Sequence, residues 1–374
     1  VAQFANDKSS AEPRLSTPAG GYGSRRSSGE HPTWCLNATI VLEELMNRRL
    51  FISRSSLLAF AASVPISLAH SAVEHSKKEQ PMIEKTNVPH TSIHRIEADG
   101  VTVFYREAGP VDAPTVLSLH GFPTSSFQYR ELIPRLADRY RVIAPDLPGF
   151  GFTEVPEERQ YKYTFDALAN TIRAFTDAMH LKRYALYVFD YGAPTGFRLA
   201  MARPDRITAI VSQNGNAYEE GLGDAWAPIR RYWSQPTFEN RESIRQGLNV
   251  DGMRREYSSG IHNPDVIAPE GYTLDAALMA RPGNTDIQLD LFLDYANNVK
   301  LYPAFQEYFR KSKPPLLAIW GRYDPYFIPA GAEAFRRDNP NATVQFLDTG
   351  HFALETHVEE IAFAMRQFLS KTAG

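Results

Sequence analysis

The chain has 374 residues, with 40 Lys and Arg against 43 Asp and Glu for a formal net charge of -3. That length suits one large α/β domain or two ordinary ones, and the near balance of charge, with no basic stripe, argues against a nucleic-acid partner. The single Cys35 excludes a disulfide framework within one chain and any cysteine-based zinc site.

Residues 1–45 are rich in Ser, Gly, Arg and Pro without sustained periodicity, the pattern of a disordered or over-extended N-terminus. Residues 46–72 read differently. Arg48 and Arg49 precede Phe51 and Ile52, a mildly apolar run extends from Leu57 to Ala69, and small residues then offer a cleavage site. A charged start, a short apolar stretch and small residues make a signal peptide. The paired arginines resemble a twin-arginine signal, which implies export to the periplasm. The competing reading is a frayed amphipathic helix. No apolar run reaches the length of a membrane span.

From Ile93 onward strands alternate with helices. "SIHRIEADGVTVFYREAG" predicts a hairpin turning at Asp99-Gly100. "TVLSLHGFP" and "RVIAPDLPGFG" are short β runs ending in Gly/Pro-rich loops, with helical spacing in "QYRELIPRLADRY" between them. "TFDALANTIRAFTDAMHL" is an amphipathic helix with Thr164 as N-cap. "YALYVFD" is the next strand and "APTGFRLAMARP" the next helix. "ITAIVSQNG", "PPLLAIWG" and "ATVQFLDTG" complete the strands, and "HVEEIAFAMRQFL" is the last helix. The fold class is therefore α/β: a mainly parallel sheet with helices on both faces. Residues 90–216 and 314–374 form its core, and the aromatic-rich segment 217–313 is an inserted helical cap. The aromatics of that segment suit either a pocket for a small apolar organic molecule or an interface.

Reactive groups in open α/β sheets gather at the carboxyl ends of strands. Asp190 follows "YALYVF", Asp324 follows "LLAIWGRY" and His351 follows "VQFLDTG". Singly, each has an ordinary explanation: a helix N-cap, a turn aspartate before Pro325, a loop histidine. Jointly they stand in the order nucleophile, acid, histidine. No G-x-S-x-G occurs; "VFDYG" puts Asp190 where the serine would be. A carboxylate needs no proton removed before it attacks an sp³ carbon, and the ester it forms must be cleaved by water. His351 is the natural base for that water, with Asp324 holding its tautomer and stabilising the imidazolium. The oxyanion donors expected in this pattern are the N–H groups of Tyr191 and, from the "HGFP" loop, Phe122. There is no P-loop, no H-E-x-x-H and no dinucleotide loop in "GFGFTE", so no cofactor and no metal is expected.

On "LHGFPTSSFQYRELIPRLADRYRVIAPDLPGFGFTE", "VFDYGAPTGFRLA", "WGRYDPYF" and "DTGHFALE", the chain from Ile93 to its end resembles the α/β-hydrolase superfamily, in the branch of epoxide hydrolases and haloalkane dehalogenases. Dehalogenases of that branch hold halide with a Trp after the nucleophile and an Asn or another Trp. Tyr191 and Phe122 stand in the first and in the usual Asn position, which leaves only a cap tryptophan such as Trp226 or Trp233 for that task. Epoxide hydrolases use two cap tyrosines to bind the epoxide oxygen. The resemblance implies Tyr232, in "RYWSQP", and Tyr295, in "LDYANN", for these positions, and hence opening of an epoxide to a vicinal diol. The alternatives are a haloalkane dehalogenase with an atypical halide site and a low-turnover binding protein on a hydrolase scaffold.

Overall fold

The computed structural model describes residues 89–372. The tract at 1–45 and the signal-like stretch at 46–72 lie outside the described residues.

Strands β1 (Ser92–Ala98) and β2 (Val101–Ala108) form the expected antiparallel hairpin, with Ala98 opposite Val101. Asp99 and Gly100 both take positive φ, 58° and 70°, as a two-residue turn matched to the twist of its strands requires. β3 (Thr115–Leu119), β4 (Arg141–Pro145), β5 (Tyr184–Phe189), β6 (Ile207–Gln213), β7 (Leu316–Gly321) and β8 (Thr343–Leu347) follow. The eight-stranded sheet has the order β1-β2-β4-β3-β5-β6-β7-β8. Its β1–β2 and β2–β4 pairs are antiparallel and the remaining pairs parallel.

Burial explains why β5 carries no alternation of polar and apolar residues. Leu186 and Val188 enter one apolar cluster, while Tyr187 and Phe189 enter the other, across the sheet. A strand covered on both faces must be apolar throughout. The covering helices of the core are α1 (Leu132–Leu136), α2 (Phe165–Ala178) and α3 (Gly192–Ala202). In α2 the Thr164 hydroxyl accepts from the Ala167 N–H at 3.2 Å, and Phe165, Leu168, Ile172 and Phe175 form the buried stripe. The helix expected in "QYRELIPRLADRY" is shorter than its spacing suggested. Pro134 fits only a first turn, so α1 starts at Leu132, and a 3₁₀ turn at Ser126–Tyr129 precedes it.

Between β6 and β7 the described chain has no strand. It forms α4 (Ala227–Ser234), α5 (Phe238–Arg245), α6 (Val250–Ser258), α7 (Pro269–Met279) and the long α8 (Asn284–Ser312), a helical cap. The chain then returns through β7, a further helix α9 (Pro329–Asp338), β8 and α10 (Val358–Leu369). No described helix is long and apolar enough to cross a membrane.

Candidate active site

β5 ends in a sharp elbow. Asp190 adopts φ 47° between the strand and α3, a conformation that is uncommon for a residue with a side chain and needs support from its surroundings. That support comes from the loop after β3. The Phe122 N–H donates to Asp190 Oδ1 at 2.6 Å, and Gly121 lies so close that a Cβ there would strike the Asp190 carboxylate and the Tyr191 N–H. The loop is held by His120. Its Nε2 accepts from the Leu147 N–H at 2.9 Å, which leaves Nδ1–H to donate to the Gly121 carbonyl at 3.0 Å. Burial lowers the His120 pKa, so this ring is a neutral brace.

Burial pushes the Asp190 carboxyl up to about 6, against the opposing pull of a positive His351 and of the Phe122 and Tyr191 N–H groups; Asp324 adds to the rise. Asp146, at the end of β4, shows what a purely structural strand-end aspartate looks like. Its oxygens are engaged by the Ser126 and Phe152 N–H groups at 2.7 Å each. In Asp190 the Phe122 N–H holds Oδ1.

His351 and Asp324 are brought together as expected. His351 Nδ1 lies 2.7 Å from Asp324 Oδ2, and both groups are buried. Burial depresses the His351 pKa, yet the Asp324, Asp190 and Glu256 carboxylates outweigh it and the net shift is upward. Asp324 Oδ1 accepts from the Tyr326 and Phe327 N–H groups at 2.8 and 3.1 Å. Its Oδ2 also accepts from Asn214 Nδ2 at 2.6 Å. Asn214 follows β6 with φ 49°, and its own oxygen takes the Gly321 N–H and the Gln213 amide. The sequence reading missed Asn214; its one signal is its place directly after a strand.

The cap tyrosines part company. Tyr295, on α8, is fully buried with its ring 5.7 Å from that of Tyr191. Its hydroxyl lies 3.3 Å from that of Tyr302, seven residues along the same helix, and Asn216 Nδ2 donates to Tyr302 at 3.4 Å. Burial, with Tyr302 and Asp190 nearby, raises the Tyr295 pKa well above its ordinary value. Tyr232 departs from the expectation of a pair. Its hydroxyl accepts from Arg241 at 3.0 Å, and the same guanidinium is anchored by Asp286 and Asp290. The Tyr232 hydroxyl accepts in that contact and keeps its own proton to donate, and the hydroxyl beside that of Tyr295 is Tyr302.

The cap tryptophans also differ. Trp233 Nε1 donates to the Phe292 carbonyl at 2.7 Å, whereas the Trp226 indole N–H is buried without a partner among the described residues. The Trp226 ring stands 4.5 Å from that of Tyr295 and 5.5 Å from that of Phe327. No group of three His, Cys, Asp or Glu side chains among the described residues could hold a metal ion.

What this sheet, elbow and buried acid–imidazole pair define is a hydrolase of the α/β class. The chain belongs to the alpha/beta hydrolase fold family, whose profile matches residues 114–358. It is 53% identical over 275 residues to an uncharacterized hydrolase of Saccharomyces cerevisiae, covering 72% of this chain and 94% of that protein. It is 25% identical over 311 residues to epoxide hydrolase 2 of Caenorhabditis elegans, covering 80% of this chain and 84% of the relative. Among solved structures, the haloalkane dehalogenase DbeA of Bradyrhizobium elkani superimposes with a TM-score of 0.65 at 24% identity, over 76% of this chain and 99% of that one. Epoxide hydrolases and haloalkane dehalogenases are thus both among its relatives.

Proposed function

We propose that the protein opens an epoxide to a vicinal diol in two steps. Asp190 attacks the less hindered ring carbon in line through Oδ2, while the Tyr295 hydroxyl, backed by Tyr302, hydrogen-bonds the epoxide oxygen. His351 then activates water against the ester carbonyl, whose developing charge falls on the oxygen facing the Phe122 and Tyr191 N–H groups. Asp324 steadies the imidazolium. The substrate is a small apolar organic molecule, and no step calls for a cofactor or metal. The observation that carries this reading is the Phe122 N–H on Asp190 Oδ1: one carboxylate oxygen is tethered and the other is left for attack.

The test is trapping. In His351→Gln the ester should form and persist, so incubation with an epoxide panel should add the mass of one epoxide to the peptide carrying Asp190. An unmodified peptide across the panel, with the variant folded, refutes the reading.

A second reading, haloalkane dehalogenation, draws support from the unpartnered Trp226 indole N–H beside Tyr295, a donor that a departing halide could use. Halide release from bromoalkanes with epoxides untouched would select it. Export to the periplasm is likewise our proposal and rests on residues 46–72; an N-terminal sequence of the mature protein starting near Ala72 is its test.

A further inference from the structure

Gln213 is the last residue of β6 and pairs in register with Phe189 of β5 and Ile319 of β7. It is 1% exposed, and a polar side chain between two apolar neighbours is costly to bury unless its polar atoms find partners. Here both do. The Tyr187 hydroxyl donates to Gln213 Oε1 at 3.2 Å. Gln213 Nε2 donates to Asn214 Oδ1 at 2.6 Å and to the His351 backbone carbonyl at 3.1 Å.

Backbone groups fix the orientation of both amides. The His351 carbonyl can only accept, so the Gln213 atom beside it is the NH₂ group. The Gly321 N–H can only donate, so the Asn214 atom it meets at 2.9 Å is the oxygen. The other end of the Asn214 amide is therefore the donor that reaches Asp324 Oδ2 at 2.6 Å, and Asp324 Oδ2 lies 2.7 Å from His351 Nδ1. The contacts close a ring, from the His351 carbonyl through Gln213, Asn214 and Asp324 back to the His351 imidazole. One buried amide holds the histidine by its backbone and, through Asn214, holds its acid.

Neither oxygen depends on Gln213 for a partner. Asn214 Oδ1 has the Gly321 N–H, and the His351 carbonyl also accepts from the Ala353 N–H at 3.0 Å. An apolar residue at the end of β6 would need no partners at all. What the glutamine adds is the tie between the two. Tyr187, which anchors that tie, stands three residues before Asp190 on the same strand. Burial raises its pKa well above the ordinary value, so the hydroxyl keeps its proton and donates.

We propose that Gln213 is a positioning residue for ester hydrolysis, keeping the His351 ring and the Asp324 carboxylate at hydrogen-bond distance while the ring takes a proton from water. The proposal rests on the two-step reading above. Ester formation draws its nucleophile from Asp190, which needs no base, so loss of the tie should be felt in the second step.

The full-length wild type is compared with Gln213→Met, which keeps an unbranched side chain but has no N–H, and with Gln213→Glu, which keeps the shape but donates at most one hydrogen. Rapid-quench mass spectrometry with styrene oxide and 1,2-epoxyhexane reads ester formation and ester hydrolysis separately. Gln213→Met should slow hydrolysis by about 10- to 100-fold, as two ordinary buried hydrogen bonds imply, and leave formation within about threefold. Gln213→Glu should fall between it and the wild type. With isotope-labelled histidine, the His351 Nδ1–H proton is the downfield resonance that His351→Gln lacks; it should move upfield in Gln213→Met as the contact to Asp324 loosens. Hydrolysis unchanged in Gln213→Met, a resonance that stays in place, or equal loss of both steps overturns the proposal. So does deuterium exchange of the wild-type Gln213 side-chain amide at the rate of the exposed Gln160, a result independent of how the variants fold. No ester on Asp190 with either epoxide, even in His351→Gln, overturns the epoxide reading and this inference together, whereas ester that forms and is cleaved without regard to Gln213 overturns this inference alone.

Discussion

Burying the Asp190 carboxyl costs stability, and the cost can be measured. Asp190 is 6% exposed, and its pKa rises from 3.8 to about 6 on folding. The folded state therefore binds this proton more tightly than the unfolded chain does. Below about pH 4 both states hold it and the carboxyl adds no penalty. As pH rises toward 6 the unfolded chain ionises first, and stability falls. Above the folded value the penalty is complete. At about 1.4 kcal/mol for each tenfold change in proton affinity, the shift amounts to about 3 kcal/mol. Asp190→Asn keeps the shape and an acceptor for the Phe122 N–H but never ionises. It should therefore match the wild type at pH 4 and exceed it by about 3 kcal/mol at pH 8, roughly 5–10 °C in Tm for a fold of this size. Thermal unfolding of both proteins at the two pH values is the assay. Equal Tm values at pH 8, or a difference that does not change with pH, would refute the reasoning, because desolvation of the charged form would then not be the source of the shift.

The remaining predictions concern the separate steps. Asp324→Ala should leave ester formation nearly intact and slow hydrolysis by about 1000-fold or more, so that ester accumulates in quenched samples; equal loss of both steps would contradict the role assigned to it. Asn214→Ala removes one charge-assisted hydrogen bond but leaves Asp324 the Tyr326 and Phe327 N–H groups. Hydrolysis should slow by about 10- to 100-fold, an intermediate value that single-turnover kinetics would separate from the Asp324→Ala result. Tyr295→Phe should slow ester formation by about 100-fold in the same quenched samples.

How much of this was legible in the sequence follows from what fixes each residue. Asp190 directly follows an apolar strand, and Asp324 and His351 stand a few residues past the ends of theirs, so order and spacing marked the positions, and the fold does bring His351 to Asp324. Phe122 and Tyr191 contribute backbone N–H groups, whose placement follows from the same strand ends. The contact of Tyr232 with Arg241 of the next helix, itself held by two aspartates of α8, is a tertiary pairing with no mark in the local pattern. Asn214 and Tyr302 were missed for a related reason. The helix α9, "PAGAEAFRRD", lies between two strongly apolar strands and offers too short a stripe to stand out beside them.

The arrangement of charge gives the site its direction. In the proposed cycle the ester carbonyl oxygen is Oδ1, the atom the Phe122 N–H already holds in the resting protein, so that donor need not move when the tetrahedral charge develops on it. The resting carboxylate thus rehearses the position of the later oxyanion, and the elbow strain at Asp190 is the structural cost of that preparation. The same logic explains why one imidazole serves several carboxylates. While Asp190 is ionised its charge helps to raise the His351 pKa and favours a protonated ring, which is useless as a base. Esterification removes that charge and with it part of the rise, so the ring is a better base once there is an ester to cleave. In the proposed cycle, alkylation of Asp190 thus helps to prepare His351 to undo it.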